Sequence, residues 1–266
     1  MRYPSGLEEG LADFQLELAG QVLTVDVEID DFRMTLINAG AEFRPGPALS
    51  FMVNFDPSRI ENAQKYLDQV WQKLSRDGKV LMPLDKYDFS PHYGWVEDKY
   101  GVNWQLMLTN PEGEPRPFII PALMFAGQAQ GKAEEARDYY LSVFDDTHPG
   151  QVYRYPETTD MFVKDQIKWS ELQLDGQWFV MNDSGPQQDF SFNEGVSLAV
   201  FCKDQAEIDY YWQKLSAHSE NEQCGWCKDK FGVSWQIVPA NMDELMSKPG
   251  AYATLMEQKK IIIAEY

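Results

Sequence analysis

The chain has 266 residues, 44% hydrophobic and 14% aromatic, enough for two ordinary domains that each bury a core. A formal charge of −19 argues against nucleic acid and anionic membrane surfaces as partners, since both need basic patches, and it suits a soluble protein. No apolar run is long enough to span a bilayer, and the opening MRYPSGLEEGLADF has neither the basic nor the apolar region of a signal peptide. Three cysteines, an odd number, fit a reducing compartment, so a cytoplasmic protein is expected.

In chain order, RYPSG (2–6) precedes two strand patterns, Leu23–Ile29 and Phe32–Asn38, with Asp30-Asp31 at the turn. Leu49–Phe55 reads as a strand, Arg59–Ser75 as a helix and residues 93–107 as a hairpin. TNPEGEPRP (109–117), rich in Pro, Gly and charge, reads as a linker. Ile119–Phe125 is a continuous apolar run and should be a buried strand, and Gly131–Phe144 has helical spacing. Val152–Tyr155, Ile167–Leu174 and Gln177–Asn182 read as strands, the last two joined by the hairpin dipeptide Asp175-Gly176. The order then restarts. A strand at Val196–Cys202 leads to a helix over Asp204–Ser216, with Asp204 as N-cap, and to a closing hairpin of Cys224–Lys228 and Val233–Val238.

Two of these segments are copies. YGWVEDKYGVNWQLM (93–107) and CGWCKDKFGVSWQIV (224–238) share Gly94/Gly225, Trp95/Trp226, Asp98/Asp229, Lys99/Lys230, Gly101/Gly232, Val102/Val233, Trp104/Trp235 and Gln105/Gln236 at a constant offset. The chain is an internal duplication. We divide it into a first copy, 1–110, a linker, 111–118, and a second copy, 119–266, that ends in a helical tail. The second copy is the complete one. Nothing in the first matches Ile119–Phe144, so its opening strand and helix are absent, and the strand-like IIIAEY (261–266) is one segment that could fill the gap.

The residues Phe125, Gly127, Ala129, Glu134, Glu135, Ala136, Tyr139, Tyr140, Val143 and Phe144 form a pattern that resembles the PhnB-like family. SLAVFCKDQAEIDYYWQKLS (197–216) and CGWCKDKFGVSWQIVP (224–239) resemble it too. This family, whose members often carry the label 3-demethylubiquinone-9 3-methyltransferase, is a branch of the vicinal-oxygen-chelate superfamily of glyoxalases, bleomycin-resistance proteins and extradiol dioxygenases. The resemblance implies an α+β fold of paired βαβββ modules, whose curved sheets form cups that bind ligands. It also implies that dimers are common, so a homodimer is expected.

The superfamily's enzymes hold a divalent metal with His, Glu or Gln near the first and last strand of each module. Here Gln236 and Gln105 stand at the last-strand Glu position and Ser197 and Ser50 at the usual His. The fourth strand offers Met181 and Asn182, and the first strand Pro121, Leu123 and Phe125. An amide, a hydroxyl and a thioether are weak ligands for zinc, iron or nickel, so no metal is expected. No other cofactor is expected either. No glycine-rich phosphate loop occurs, nor the glycine-rich strand-to-helix loop that an S-adenosylmethionine enzyme would normally need.

Strand alternation turns Val233, Trp235 and Ile237 toward the helices and Gln236 into the cup, and Gln105 likewise in the first copy. Each amide is either a ligand anchor or a satisfied structural group. Trp95, Trp226, Trp178 and Phe125 are stacking surfaces or plain core. Cys224 and Cys227 form a CxxC in a strand, not at a helix start, which suits small buried hydrophobes better than redox chemistry. His92, His148 and His218 fall in predicted loops and lack metal or triad partners, so they read as surface histidines. Asp98/Gly101 and Asp229/Gly232 read as turn chemistry.

The functional expectation is a metal-free protein that binds a small, partly apolar organic molecule in the second copy's cup. Gln236, Ser197, Asn182, Cys224 and Trp226 would orient the ligand. Phe125 in the same copy, and Gln105 and Trp95 in the first, are further candidates. The alternatives are an isomerase or transferase that uses side chains or a metal, with Cys224 as the first catalytic candidate, or a dimeric scaffold with filled cups.

Overall fold

A computed structural model describes residues 1–40, 42–160, 162–184 and 188–266. Its elements in chain order open with strands β1 (Thr24–Ile29), β2 (Phe32–Ile37) and β3 (Leu49–Phe55) and helix α1 (Ala63–Leu74). Next come β4 (Lys79–Tyr87), β5 (Ser90–Glu97), β6 (Asn103–Leu108), β7 (Ile119–Phe125) and α2 (Ala133–Val143). Then follow β8 (Thr147–Arg154), β9 (Ile167–Leu174), β10 (Gln177–Asp183), β11 (Leu198–Cys202) and α3 (Gln205–Leu215). The chain closes with β12 (Trp226–Lys228), β13 (Ser234–Pro239), α4 (Met242–Met246) and α5 (Ala251–Glu257). Helices and mixed sheets together make an α+β protein. Among the described residues no helix is long and apolar enough to cross a membrane.

The compact units cut across the sequence copies. Unit 2 holds residues 29–32 and 44–195, and unit 1 holds 1–28, 33–43 and 196–266. In unit 2, β3-α1-β4-β5-β6 from the first copy and β7-α2-β8-β9-β10 from the second share one eight-stranded sheet, in the order β4-β5-β6-β3-β7-β10-β9-β8. The join is the antiparallel pair β3·β7, Leu49 opposite Leu123 through Val53 opposite Ile119. Each opening strand also runs parallel to the last strand of its own set, Phe51 opposite Trp104 and Leu123 opposite Met181.

One face of this sheet carries the helices. Phe55 packs edge-on against Tyr66 of α1 at 5.3 Å. The Asp183 carboxylate accepts the Ala133 N–H at the start of α2 and the Ile167 N–H at the start of β9. Helix α2 has no side-chain cap of its own, and Asp183 supplies one from a neighbouring strand. Its apolar stripe, Ala133, Ala136, Tyr140 and Val143, is buried at helical spacing. By alternation Ser50, Met52, Asn54, Asn103, Gln105, Met107, Ile120, Ala122, Trp178, Val180 and Asn182 point to the opposite face.

The repeated closing hairpins are built alike. The Asp98 carboxylate accepts from the N–H groups of Tyr100 and Val102 and from the Trp104 indole. Asp229 does the same for Phe231, Val233 and Trp235. Gly101 and Gly232 both sit at φ 89°, so the shared motif is turn chemistry.

Unit 1 contains the β1-β2 hairpin except its tip, residues 29–32, together with a three-stranded sheet ordered β11-β13-β12, and α3, α4 and α5. Asp204 caps α3, accepting the Glu207 N–H at 3.0 Å. The N-terminal segment packs on α5: Tyr3, Leu11 and Tyr252 form a buried cluster, and the Tyr252 hydroxyl donates to Gln15. Gly10, at φ 92°, lies so close to Ala253 that a Cβ there would stand 2.6 Å from the alanine methyl.

Several expectations need correction. The C-terminal IIIAEY forms no strand, because Ile261 is buried and residues Ile263–Glu265 make a single 3₁₀ turn tied to Gln205. It therefore does not replace the missing strand. His92 and His148 lie in β5 and β8 rather than in loops. The edge strand β4 was not anticipated.

Candidate functional site

The helix-free face of the unit 2 sheet has an apolar floor. Met52, Ile120, Ala122 and Val180 form a buried cluster, with half-buried Met107, Trp169 and Trp178 packed against it. Beside Met52 lies a buried polar chain. The Tyr93 hydroxyl donates to Gln105 Oε1 at 2.7 Å, and Gln105 Nε2 donates to Ser50 Oγ at 2.8 Å. Burial, with the neighbouring Tyr87 phenol second, pushes the Tyr93 pKa upward and keeps it a hydrogen-bond donor. Trp95, opposite Gln105 in the β5·β6 register, is buried, and its indole N–H has no partner among the described residues. Asn103 Oδ1, on the same strand as Gln105, is also buried and has no partner among the described residues.

Across the sheet, Arg116 reaches Glu171 with two hydrogen bonds, Nε to Oε1 at 3.2 Å and Nη2 to Oε2 at 3.0 Å. Its guanidinium lies 4.3 Å from the Trp178 ring centroid, and the His148 ring meets the same indole edge-on at 6.3 Å. Both ionic side chains are largely buried, Arg116 14% and Glu171 12% exposed. Burial opposes the charge on Arg116, but its hydrogen bonds to Glu171 and Glu114 and their charges outweigh it and raise its pKa. Asn182, half-buried on this face opposite Met124, makes no side-chain hydrogen bond among the described residues.

The expected ligand residues thus divide between the units. Gln105, Trp95 and Asn182 belong to unit 2 and share the helix-free side of its sheet. Phe125 belongs to unit 2 but lies on the helix-bearing side, fully buried opposite Asp183 and edge-on to Phe192. Gln236, Ser197, Trp226 and Cys224 belong to unit 1. There Trp226 faces Gln236 across β12·β13, and its indole donates to Ser197 Oγ at 3.3 Å. Sequence reasoning missed Arg116, Glu171, Trp169 and Met52. Trp169, Glu171 and Gln173 do alternate along a strand, but Arg116 stands among prolines in what read as a linker.

The duplication gives a controlled comparison. Tyr93 in the first copy becomes Cys224 in the second, so Gln236 loses the donor that Gln105 enjoys and has no side-chain hydrogen bond among the described residues. Gln105→Leu strands the Tyr93 hydroxyl and is expected to cost about 1–3 kcal/mol, whereas Gln236→Leu should stay within about 0.5 kcal/mol of wild type. Urea unfolding of the two variants checks this, and equal losses would show that Gln236 sits in a comparable network.

Cys224 is buried, sits at φ 51°, and donates its thiol to the Leu255 carbonyl at 3.3 Å. Burial pushes its pKa up, and pushes the Cys227 thiol to about 12. Neither is an activated thiolate. His92 pairs with Asp68 at 2.7 Å, and His218 lies 3.6 Å from Glu220.

The metal that the superfamily's enzymes carry does not fit these side chains. Ser50 and Gln105 are hydrogen-bonded to each other, and Ser197 accepts from Trp226. All are neutral oxygen or amide groups, weak donors for a transition metal. Among the described residues no group of three or more His, Cys, Asp or Glu could hold a metal ion.

Comparison with known proteins gives a consistent family. A family model described as 3-demethylubiquinone-9 3-methyltransferase matches residues 9–107 and 117–238, either side of the connection between the two copies. No curated protein matches the chain. Among solved structures, a putative 3-demethylubiquinone-9 3-methyltransferase, a PhnB protein from Bacillus cereus, is 33% identical, with 44% of this chain and 95% of that one covered and a TM-score of 0.37. A Staphylococcus aureus protein is 28% identical, covering 47% and 97%, with a TM-score of 0.22. A putative dioxygenase from Bacillus subtilis is 11% identical, covering 82% and 72%, with a TM-score of 0.38. With its two matched segments spanning most of its length, the chain belongs to the PhnB-like, 3-demethylubiquinone-9 3-methyltransferase family.

Proposed function

We propose that unit 2 is a pair of βαβββ modules forming one cup, and that the cup binds a small, partly apolar organic molecule without a metal. The observation that carries this reading is the helix-free sheet face. Its apolar floor is bordered by half-buried Trp169, Trp178 and Met107, with the Asn182 amide, unpaired among the described residues, and an ion pair at Arg116–Glu171. Apolar walls with a few placed polar groups are the usual make-up of a small-molecule site. The indoles offer flat stacking area, and Asn182 offers both a donor and an acceptor. The Gln236–Ser197–Trp226 group in unit 1 is a second, less enclosed candidate. The family's descriptive name mentions methyl transfer, but the chain lacks a glycine-rich strand-to-helix loop for S-adenosylmethionine, so binding is the activity assigned. A cytosolic setting suits its three free thiols.

Native mass spectrometry of the purified protein tests for a retained organic molecule, and elemental analysis of the same sample tests for metal. As a probe, 8-anilinonaphthalene-1-sulfonate should bind with enhanced fluorescence, and Trp178→Ala and Asn182→Leu should each weaken it by roughly fivefold or more. Probe binding indifferent to both substitutions, or one divalent transition metal per chain, would overturn the proposal.

A further inference from the structure

Two buried polar atoms on the helix-free face of the unit 2 sheet have no partner among the described residues: the indole N–H of Trp95 and Oδ1 of Asn103. Asn103 is 0% and Trp95 9% exposed. The β5·β6 register sets Trp95 opposite Gln105 and Glu97 opposite Asn103, so Trp95 and Asn103 are diagonal neighbours on one face. Diagonal neighbours stand about 7–8 Å apart, a gap that one small polar group spans. Folded proteins rarely leave a buried donor or acceptor open without a water, an ion or a ligand to meet it.

The second copy shows how the open donor arises. By repeat and register, Ser197, Trp226 and Gln236 match Ser50, Trp95 and Gln105. There the Trp226 indole donates to Ser197 Oγ at 3.3 Å. In the first copy Gln105, held by the Tyr93 hydroxyl, donates to Ser50 instead, and Trp95 is left without that acceptor. The second copy carries Cys224 in place of Tyr93 and Ser234 in place of Asn103. The first copy alone therefore has both the phenol that fixes Gln105 on Ser50 and the carboxamide beside the released indole. Asn103 Nδ2 donates to the Gly101 carbonyl at 3.1 Å, which sets the orientation of the amide and leaves Oδ1 as its open atom.

We propose that Trp95 and Asn103 form a subsite for a neutral hydroxyl or carboxamide of the ligand. The indole N–H donates to the oxygen of that group, and Asn103 Oδ1 accepts its O–H or N–H. The inference rests on the reading that the cup binds a small, partly apolar molecule, and adds which polar group the molecule carries. Only a group that both accepts and donates satisfies the pair. A carboxylate accepts but cannot donate, and an ammonium donates but cannot accept. Half-buried Glu97, on the same face opposite Asn103, repels a carboxylate as well. The apolar part of the ligand has a place nearby, because Met107, two residues beyond Gln105 on β6, packs on the floor of Met52, Ile120, Ala122 and Val180. The ligand class is thus a neutral alcohol, phenol or carboxamide on an apolar body.

Competition against bound 8-anilinonaphthalene-1-sulfonate at neutral pH tests the proposal on the full chain, with one ring system in three forms: naphthalene, 2-naphthol and 2-naphthoate. The naphthol should displace the probe about fivefold more tightly than either of the others. Trp95→Phe keeps an aromatic ring and removes the N–H, and Asn103→Leu removes the acceptor. Each should bring naphthol to within about twofold of naphthalene, a ratio in which any loss of packing cancels. Asn103→Leu also gives up the bond to Gly101, so Trp95→Phe decides alone if that variant fails to fold. A wild type with no preference for naphthol, or a preference that Trp95→Phe leaves intact, would overturn the subsite and assign the two atoms to an internal water. A probe that ignores Trp178→Ala and Asn182→Leu would remove the cup reading and the subsite with it. A probe that responds to both, while naphthol is not preferred, removes the subsite alone.

Discussion

Asp183→Ala is expected to destabilise the protein by about 3–5 kcal/mol in urea unfolding, among the largest losses any single substitution here should give. Asp183 is 1% exposed, and its carboxylate accepts from backbone N–H groups of Gly131, Ala133 and Ile167. These donors belong to the approach to α2, its first turn and the start of β9, so one side chain ties three segments to β10. Alanine would leave the donors buried and unpaired. Asp183→Asn keeps one acceptor oxygen but sets an N–H₂ against donors, and an intermediate loss is expected. The pH dependence has a definite sign. Burial raises the Asp183 pKa more than the backbone N–H groups lower it, and the Glu134 charge adds to the rise. A carboxyl with a raised folded pKa contributes stability that is full below its unfolded pKa, about 3.9, and is lost as pH climbs through the folded value. The gap between wild type and Asp183→Asn should therefore narrow as pH rises through that window. A gap that widens would mean that the three N–H groups outweigh burial.

None of the three cysteines should react with a disulfide reagent at pH 8 in the native protein, and all three should react once it is unfolded. Cys202, Cys224 and Cys227 are all buried. Burial pushes Cys202 and Cys227 to about 12, helped by the charges of Glu207 and Asp204 in one case and Asp229 and Glu222 in the other. At pH 8 a thiol of pKa about 12 is ionised in roughly one molecule in 10⁴, against about one in four for a free cysteine. The native rate should thus fall by about a thousandfold before steric protection is counted. The stability of the thiols follows the same shift: it is full below the unfolded thiol pKa, about 8.5, and is lost as pH rises toward 12. One fast native thiol assigned to Cys224 would revive the thiol-dependent enzyme and count against a purely binding protein.

Much of the fold was legible because its signals are local. Ile119–Phe125 and Leu49–Phe55 are strands with the bounds read from their apolar runs, Asp204 caps its helix, and Asp175-Gly176 turns a hairpin with φ of 47° and 76°. Strand β4 was not legible, since Lys79, Pro83, Asp85 and Lys86 interrupt its alternation and its pairing with β5 shifts register repeatedly. The larger gap concerns partnership. A repeat shows where each copy lies, but β3·β7 pairing has no local signature, so the sequence does not show that the end of one copy builds a sheet with the start of the next. The site suffered for the same reason. Gln105 with Ser50 was readable from strand positions, but Arg116 meets Glu171 across 55 residues, and no nearest-neighbour pattern announces that.

The division of the chain also sets an order of assembly. Unit 2 is nearly continuous in sequence, residues 44–195 plus a short piece, so it can close while the rest of the chain is still being made. Unit 1 joins residues 1–28 to residues beyond 196. At typical synthesis rates of about 5–20 residues per second, the N-terminal segment waits on the order of 10–50 s for its partner. During that wait Tyr3 and Leu11 have no α5 to cover them. The exposed interval falls at the N-terminus, and a chaperone that acts on this protein during translation would find its binding segment there.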